Sequence, residues 1–323
     1  MVADILFGEE VAKKYLQEVQ AYLQQTGSKP VLAIIVGQQA RPDAKSFTKY
    51  VANRCKKAGI ENVLHEANEY NVADKLHQLN QNPEITGIII SHPFSMETGP
   101  QSIDCRVMGM INPLKDVEAL HPVWSGLLDQ YQERLDYQPR ENEEYPKCIV
   151  PCTPKAIVYM MDHFGLPIFD TDTNKGRVVT TINYSLIIGQ PLFKMVRNRK
   201  GSCNVCDINT RQDEIDNNVA RADIIVAAAG KPGLIHGDQI REGAAVFDLG
   251  WNEFPDGTRV GDIDFDSVYE KASSIVPFEG GVGPVTTTMV ALNLTYLHRM
   301  HAYFRGNGRD DVLLPYAKAI NLV

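Results

Sequence analysis

Short apolar runs alternate with stretches of helical spacing along most of this 323-residue chain. Residues 31–36, VLAIIV, contain no polar side chain, and helical spacing follows over about 45–58. Uninterrupted runs of this length are typical of strands that are buried on both faces of a parallel sheet. Parallel strands need crossover connections, which are usually helices. The alternation therefore predicts an α/β fold built on parallel sheets.

The apolar periodicity gives one series of elements in each half of the chain. The first series is a helix over 11–23, a strand over 31–36, a helix over 45–58, a strand over 61–67, a helix over 71–80 and a strand over 87–90. The second series is a helix over 155–163, strands over 177–182, 203–208, 223–229 and 244–250, a helix over 187–196, a polar helix after the second strand, and a long helix over 285–303. Residues 129–147 are highly charged and contain two prolines, which predicts a solvated connection between the two series.

Composition excludes several classes of partner. The formal net charge is −8 and the isoelectric point is about 5.5. Nucleic acids and anionic membranes both require basic surfaces, so neither is an expected partner. No apolar run reaches the ~18 residues of a membrane span, and the N-terminal residues lack the pattern of a secretory signal. We therefore expect a cytoplasmic protein.

The six cysteines are predicted to be structural thiols. The closest pairs are Cys148/Cys152 and Cys203/Cys206, and neither repeats at the spacing of a zinc site. The second pair falls within one predicted strand, where residues three apart point to opposite faces. No metal site is predicted.

A strand-to-helix turn in the second series is a candidate dinucleotide site. The turn runs from Asn183 through Tyr184 and Ser185 to Gly189. Turns of this kind direct backbone N–H groups at a pyrophosphate. Only the last glycine of the G-x-G-x-x-G pattern remains, as Gly189, where it permits close packing of helix and strand. The motif alone is equally compatible with an ordinary turn.

Asp207 ends the next predicted strand, 24 residues after Asn183. An acidic residue at about this interval binds the ribose 2′-hydroxyl of a dinucleotide, and its charge repels a 2′-phosphate. The turn also lacks an arginine or lysine that would hold such a phosphate. Both features favour NAD over NADP, although Asp207 would serve equally well as a cap of the following helix.

Five segments that occur in order along the chain match the motifs of one enzyme family. They are Tyr50–Lys56, Pro113–Glu118, Pro151–Pro154, Gly230–Gly233 and Gly280–Thr286. The sequences PCTP, GKPG and GGVGPVT are highly specific in combination. On these motifs the chain resembles the methylenetetrahydrofolate dehydrogenase/cyclohydrolase family, and most closely its monofunctional, NAD-dependent branch.

The resemblance implies a fold and an activity. A folate-binding α/β domain would comprise residues 1–150 and 286–323, with the C-terminal helix packing back on it. A Rossmann-type NAD-binding domain would comprise residues 151–285, with a cleft between the domains. Family members transfer hydride from 5,10-methylenetetrahydrofolate to a nicotinamide, which depends mainly on positioning and on the cofactor. The family forms dimers, so a homodimer is expected.

Matching positions carry roles over to individual residues. Tyr50 corresponds to a tyrosine that lies against the aminobenzoyl ring of the folate, where an aromatic face gives oriented apolar contact. The catalytic residues implied are Tyr50, Arg54 and Glu118. The folate-binding residues implied are Tyr50, Ser91, Glu118, Gly281, Pro284 and Thr286. The cofactor-binding residues implied are Asn183, Tyr184, Ser185, Gly189, Asp207, Gly230, Gly250 and Gly283.

Three positions depart from the bifunctional members. Those enzymes have a lysine four residues after the tyrosine, a glutamine in Q-L-P-L and an aspartate in D-V-D-G, where this chain has Arg54, Ser91 (in S-H-P-F) and Glu118 (in D-V-E-A). An arginine stays charged and cannot transfer a proton as a buried lysine can. Ser91 is shorter than glutamine, and Glu118 keeps the charge one methylene further out, where it could still bind the pterin.

Together these replacements predict loss of the cyclohydrolase activity. The NAD-dependent branch also carries replacements at these positions, and an asparagine opens its nucleotide turn, as Asn183 does here. Lys56 is disfavoured as a substitute amine, because residues four and six positions after Tyr50 point about 200° apart on a helix. Two alternatives stay open: a bifunctional enzyme that uses Arg54 or Lys56, and a folate- or nucleotide-binding relative without activity.

The remaining conspicuous residues receive structural interpretations. His92 and His121 are expected to be polar lining groups rather than catalysts. Asp116 is expected to bind backbone. Trp124 and Trp251 are expected to pack.

Overall fold

The computed structural model describes residues 2–94, 103–130 and 148–306. Most of the predicted charged connection, residues 131–147, lies outside them. The elements up to residue 130 are β1 (Asp4–Ile5), α1 (Glu9–Thr26), β2 (Val31–Gly37), α2 (Pro42–Ala58), β3 (Glu61–Ala67), α3 (Val72–Gln81), β4 (Gly87–Ile90), α4 (Ile103–Met108), a 3₁₀ turn (Pro113–Lys115) and α5 (Pro122–Asp129). Those that follow are α6 (Cys152–His163), β5 (Phe169–Asp170), β6 (Lys175–Gly176), β7 (Val178–Ile182), α7 (Gly189–Asn198), β8 (Ser202–Cys206), α8 (Gln212–Arg221), β9 (Ile224–Ala227), β10 (Ala245–Asp248), β11 (Asn252–Glu253), β12 (Arg259–Val260), α9 (Phe265–Tyr269), β13 (Ser274–Val276) and α10 (Val282–Gly306).

The chain divides into two compact units. The six-stranded unit comprises Met1–Lys13 and Thr153–Thr286, and the three-stranded unit comprises Lys14–Cys152 and Thr287–Val323. The predicted division assigned the first 13 residues to the folate-binding domain, whereas their contacts group them with the six-stranded sheet. This grouping reflects the pairing of β1 with β13, through Asp4 with Ser274 and Ile5 with Ile275.

The three-stranded unit contains a parallel sheet in the order β3-β2-β4. Ala33 and Ile35 of β2 pack on one face with Leu76 of α3. Leu32 and Ile34, which point to the other face, are also fully buried. Burial on both faces explains why this strand is an uninterrupted apolar run.

The C-terminal helix α10 packs on the three-stranded unit, as predicted. The Asn293 side-chain amide donates to the carbonyls of Val117, at 2.8 Å, and Val150, at 3.0 Å. A Cβ atom on Gly87 would lie 2.4 Å from Leu294 Cδ1. The helix therefore packs closely on β4, and a side chain at residue 87 would require Leu294 to shift.

The six-stranded unit has the predicted Rossmann-type arrangement. Its strands are all parallel, in the order β1-β13-β10-β9-β7-β8. The chain leaves β7 for β8 on one side and then returns to β9 on the other. The direction of winding therefore reverses between β7 and β9, and doubly wound sheets bind ligands outside the carboxyl ends of the strands at such a point.

Candidate functional site

Asn183 occupies the reversal point of the six-stranded sheet, immediately after β7. Its side-chain amide donates to the Ala228 carbonyl at 2.7 Å, which ties the end of β7 to the end of β9. Its carbonyl oxygen accepts from the backbone N–H groups of Ser185, at 2.8 Å, and Gly189, at 3.2 Å. Asn183 therefore shapes the turn from within.

The turn allows a phosphate fewer contacts than a glycine-rich turn does. The Ser185 hydroxyl accepts from the Ile188 N–H at 3.1 Å, so three amides of the turn are already bonded internally. Among the described residues, the amides of Leu186 and Ile187 make no hydrogen bond. These two amides, ahead of the N-terminus of α7, remain available as donors to a phosphate.

Gly189 is required by packing, as its position in the turn predicted. A Cβ atom there would lie 1.8 Å from the Asn183 carbonyl oxygen and 2.8 Å from Tyr184 Cα. No side chain fits at that distance, because both neighbours are backbone atoms. The start of α7 consequently packs directly against the end of β7.

Asp207 follows β8, the strand beside β7. Its Oδ1 accepts from the Asn209 N–H at 2.8 Å and from the Thr210 hydroxyl at 3.2 Å. The carboxylate thus stabilises the turn before α8, which is close to the capping role considered above. Its Oδ2 makes no hydrogen bond among the described residues, so the same carboxylate retains an acceptor for a ribose hydroxyl.

Gly230 belongs to a loop whose stabilising residue the sequence patterns did not reveal. The Asp262 carboxylate accepts from three successive amides, Ala229 at 2.6 Å, Gly230 at 3.0 Å and Lys231 at 2.8 Å. Asp262 is fully buried. It therefore fixes the backbone that follows β9, opposite Asn183.

A second buried carboxylate, Asp248 at the end of β10, supports the first. It accepts from the N–H groups of Gly250 and Asp262, at 3.0 and 2.9 Å. Burial raises its pKa to about 6; the bonds from backbone oppose that rise, and the neighbouring Asp262 charge adds to it. A Cβ on Gly250 would lie 2.2 Å from Asp262 Oδ1, so this glycine is needed for the two acids to approach each other.

The start of α10 carries the other glycines expected at the site. A Cβ on Gly281 would lie 2.0 Å from the Pro277 carbonyl oxygen, so its absence allows the tight entry to the helix. Gly283 is exposed and has open space around its Cα. Pro284 lies in the first turn, where a proline costs no hydrogen bond, and Thr286 is buried. Packing therefore explains Gly281 but leaves Gly283 free for another role.

In the three-stranded unit the carboxyl ends of β2 and β4 form a second reversal point. Ser91, immediately after β4, is fully buried. Its hydroxyl accepts from the Gly37 N–H at 3.0 Å, and its own N–H donates to the Ile35 carbonyl at 2.9 Å. The side chain predicted to face the folate thus joins the ends of the two strands.

Glu118 belongs to a buried polar cluster at the same edge. Asp116 pairs with Ile88 of β4 as an isolated bridge, which brings the segment 116–118 alongside the sheet. His92 Nε2 lies 3.6 Å from Glu118 Oε2, and His92 Nδ1 lies 3.0 Å from Asp104 Oδ1. His92 was expected to be a lining group; the structure makes it the link between two carboxylates.

Burial dominates the electrostatics of the cluster. It raises the pKa of Glu118 to about 7, with His92 opposing and Asp116 reinforcing the rise. It also raises the pKa of Asp116 to about 6, although the backbone N–H groups of His121 and Glu118 stabilise that carboxylate. Asp116 therefore has the predicted role of binding backbone, while Glu118 is poised to exchange a proton near neutral pH.

Tyr50 and Arg54 lie one turn apart on α2. The Tyr50 side chain is 59% exposed, which leaves its ring face open to a ligand. Arg54 is half-buried, and Lys56 is exposed two residues further along the same continuous helix. Helical geometry therefore keeps Arg54, rather than Lys56, on the side of Tyr50.

The remaining assignments concern packing and metals. Trp124 is buried as expected, and its indole N–H donates to the Pro113 carbonyl. Trp251 stays 37% exposed and stacks with the Arg259 guanidinium. All six cysteines are free thiols. Within the described ranges there is no group of three or more metal-ligating side chains, and no helix there is long and apolar enough to span a membrane.

Comparison with known proteins matches both halves of the chain to one enzyme family. Residues 6–118 match the catalytic-domain model, and residues 151–302 the NAD(P)-binding-domain model, of tetrahydrofolate dehydrogenase/cyclohydrolase. The bifunctional protein FolD of Aquifex aeolicus is 33% identical over 303 residues, which are 90% of this chain and 94% of that protein.

Solved structures of similar proteins cover nearly the whole chain. The bifunctional 5,10-methylenetetrahydrofolate dehydrogenase/cyclohydrolase from Thermoplasma acidophilum is 28% identical, with a TM-score of 0.78 over 93% of this chain and 100% of its own. The NAD-dependent 5,10-methylenetetrahydrofolate dehydrogenase from Saccharomyces cerevisiae has a TM-score of 0.80 over 94% and 100%, at 20% identity, and shows likeness of fold.

Proposed function

Because this chain belongs to the tetrahydrofolate dehydrogenase/cyclohydrolase family, we propose that it oxidises 5,10-methylenetetrahydrofolate to 5,10-methenyltetrahydrofolate with NAD. NAD would supply the nicotinamide that accepts the hydride. The three-stranded unit takes the folate, the six-stranded unit takes NAD, and the enzyme works as a cytoplasmic homodimer. Cyclohydrolase activity is largely lost.

The observation that carries the choice of NAD is the carboxylate of Asp207. It stands at the end of β8, and its Oδ2 remains an acceptor among the described residues while Oδ1 holds the turn. A ribose 2′-hydroxyl donates to such an oxygen, whereas a 2′-phosphate is repelled by it. Asn183, Tyr184 and Ser185 supply no positive charge that would offset this repulsion.

On the folate side, chain residues bind and orient the substrate. Tyr50 offers an exposed aromatic face for the aminobenzoyl ring. Glu118 offers a carboxylate that accepts N–H donors of the pterin. These residues position the methylene carbon; hydride transfer itself needs no strong acid or base.

Loss of cyclohydrolase activity is supported by two of the three departing residues, Arg54 and Ser91. An arginine at residue 54 does not transfer a proton as a buried lysine can. Ser91 is shorter than glutamine, and its hydroxyl also accepts a hydrogen bond from the Gly37 N–H at the strand ends. These two side chains therefore replace neither the lysine nor the glutamine of the bifunctional members. The bifunctional relatives favour one alternative, a dehydrogenase that also hydrolyses its product.

A single assay separates these candidates. The purified protein receives 5,10-methylenetetrahydrofolate with NAD or with NADP, and the methenyl product and its decay to the formyl form are followed by absorbance. We expect NADH formation without accelerated decay of the methenyl product. Decay faster than the buffer rate would establish the bifunctional alternative, and no reduced cofactor with either nucleotide would refute the dehydrogenase.

Asp207→Ser should reduce the preference for NAD. Removing the charge abolishes repulsion of the 2′-phosphate and weakens the ribose contact, so the ratio of kcat/KM for NAD over NADP should fall by about 10–100-fold. Asp213→Ser is the matched control, since Asp213 is an exposed residue on α8 that pairs with Arg211. An unchanged ratio in Asp207→Ser would assign the discrimination to another residue.

Arg54→Lys should not restore cyclohydrolase activity. The lysine could release a proton, but Ser91 would still be bonded to Gly37 and unable to replace the glutamine. We expect the rate of methenyl decay to stay within about threefold of the parent rate. Catalytic groups that act together give little rate enhancement when only one of them is restored. A gain of two orders of magnitude would show that residue 54 alone controls the hydrolysis.

A further inference from the structure

Two departures from the family motifs meet in space. When S-H-P-F is set on the Q-L-P-L segment of bifunctional members, His92 replaces a leucine, and Glu118 replaces the aspartate of D-V-D-G. The imidazole Nε2 and the Glu118 Oε2 lie 3.6 Å apart. This chain therefore combines the longer carboxylate of Glu118 with the imidazole of His92, whereas the motifs of bifunctional members combine an aspartate with a leucine.

The orientation of the imidazole is fixed from its other side. Asp104 Oδ1 accepts from the Phe94 backbone N–H at 2.7 Å, which anchors the carboxylate. The same oxygen lies 3.0 Å from His92 Nδ1, so Nδ1 must carry the proton that it donates. Nε2 is then the nitrogen that exchanges a proton with Glu118.

The cluster needs a positive partner. The titratable groups that face His92 are Asp104 from α4 and Asp116 and Glu118 from the segment beside β4. Burial alone would lower the pKa of His92, but the bond to Asp104 and the three negative charges raise it. The His92 and Glu118 side chains are only 9% and 11% exposed, so water screens their interaction little. A leucine at residue 92 would leave the buried Glu118 charge without this compensation.

We propose that His92 is a positioning residue for Glu118, and that the two form one unit, oriented by Asp104, which presents the carboxylate to the pterin ring of the folate. The inference rests on the proposed function for the identity of the ligand. The unit replaces the leucine and aspartate of bifunctional members, and neither residue can revert alone without loss. Pterin binding through Glu118 consequently depends on residue 92, which does not need to touch the folate.

The test is a double-mutant cycle on equilibrium binding of tetrahydrofolate, measured by fluorescence quenching. The variants are His92→Leu, Glu118→Asp and the double variant that restores the family pair. We expect each single change to raise Kd by about tenfold or more, and the double variant to return to within about threefold of the parent. Effects that simply add in the double variant would overturn the proposal.

A second variant separates positioning from packing. His92→Gln keeps a polar side chain of similar size but no positive charge, so the pKa of Glu118 should rise further. Because protonated Glu118 binds pterin N–H donors poorly, the Kd of this variant should begin to increase at a higher pH than in the parent. An unmoved pH profile would reduce His92 to a structural residue. His77→Gln, on the exposed face of α3, is the matched control.

Binding and turnover keep the two proposals distinguishable. Non-additive effects of the His92 and Glu118 substitutions on tetrahydrofolate binding, without NADH formation by the parent protein, would refute the dehydrogenase but support the role of His92. NADH formation with additive effects on binding would support the dehydrogenase and refute the role of His92. If His92→Leu fails to fold, shown by loss of cooperative unfolding, the pH profile of His92→Gln decides the question alone.

Discussion

Gly189→Ala should collapse NAD binding and lower the thermal stability of the six-stranded unit. The new Cβ would lie 1.8 Å from the Asn183 carbonyl oxygen, and backbone at the end of β7 cannot move away without breaking the sheet. Overpacking of this kind costs about 3 kcal/mol or more, which corresponds to a Tm decrease on the order of 10 °C. Calorimetry and NADH fluorescence titration measure the two effects, and we expect Kd to rise by about 100-fold or more because the turn must open.

Gly126→Ala provides the matched control. Gly126 lies within α5, and a Cβ there meets no atom within 4 Å. Alanine is a better helix former than glycine, so this variant should be stabilised by up to about 1 kcal/mol. A Gly189→Ala protein with parental Tm and parental NADH affinity would mean that the close approach of α7 to β7 is not required.

Asp262→Asn should have an effect of similar size through the loop after β9. The carboxylate accepts from the amides of Ala229, Gly230 and Lys231, and an asparagine has one acceptor oxygen where the aspartate has two. Its NH₂ group would face a backbone donor. Losing one or two charge-assisted bonds in a buried site costs about 2–5 kcal/mol. We expect a lower Tm and a rise in the Kd for NADH, both at unchanged tetrahydrofolate affinity.

Asp264→Asn tests whether the effect is specific to the buried acid. Asp264 lies two residues further along, 43% exposed, and contacts Ser267 and His236 at the surface. Surface substitutions of this type change stability by about 0.5 kcal/mol or less. Equal losses in the two variants would refute the special role of Asp262, and so would an Asp262→Asn protein that binds NADH as tightly as its parent.

Local patterns were sufficient for much of the fold. The run VLAIIV predicted β2 because both of its faces are buried, and the strand–turn–helix pattern around Asn183 identified the reversal point of the larger sheet. The strands β1 and β13 were not predicted from the sequence. They have two and three residues, too few for a period to show, and they are held by pairing across 270 positions of sequence.

The candidate site was predictable only where a local motif carries it. Gly189 follows from the turn, whereas Asp262 contacts amides about 30 positions earlier and no local spacing signals it. Ser91 was interpreted from its length alone, and its bond to Gly37 became visible only with β2 and β4 paired. His92 was expected only to line the site. Its partners, Asp104 and Glu118, belong to separate elements, so no local pattern in the sequence indicated that they contact it.

The pairing of β1 with β13 has a consequence for biosynthesis. The strands of the smaller sheet lie within Val31–Ile90 and can pair soon after they leave the ribosome. The edge strand β1 is made before those strands, whereas its partner at Ser274–Val276 is made after all of them. Contacts of such high sequence separation fold slowly, and unpaired edges aggregate in the meantime. During synthesis β1 therefore stays without its partner strand while the 270 positions that separate Asp4 from Ser274 are added.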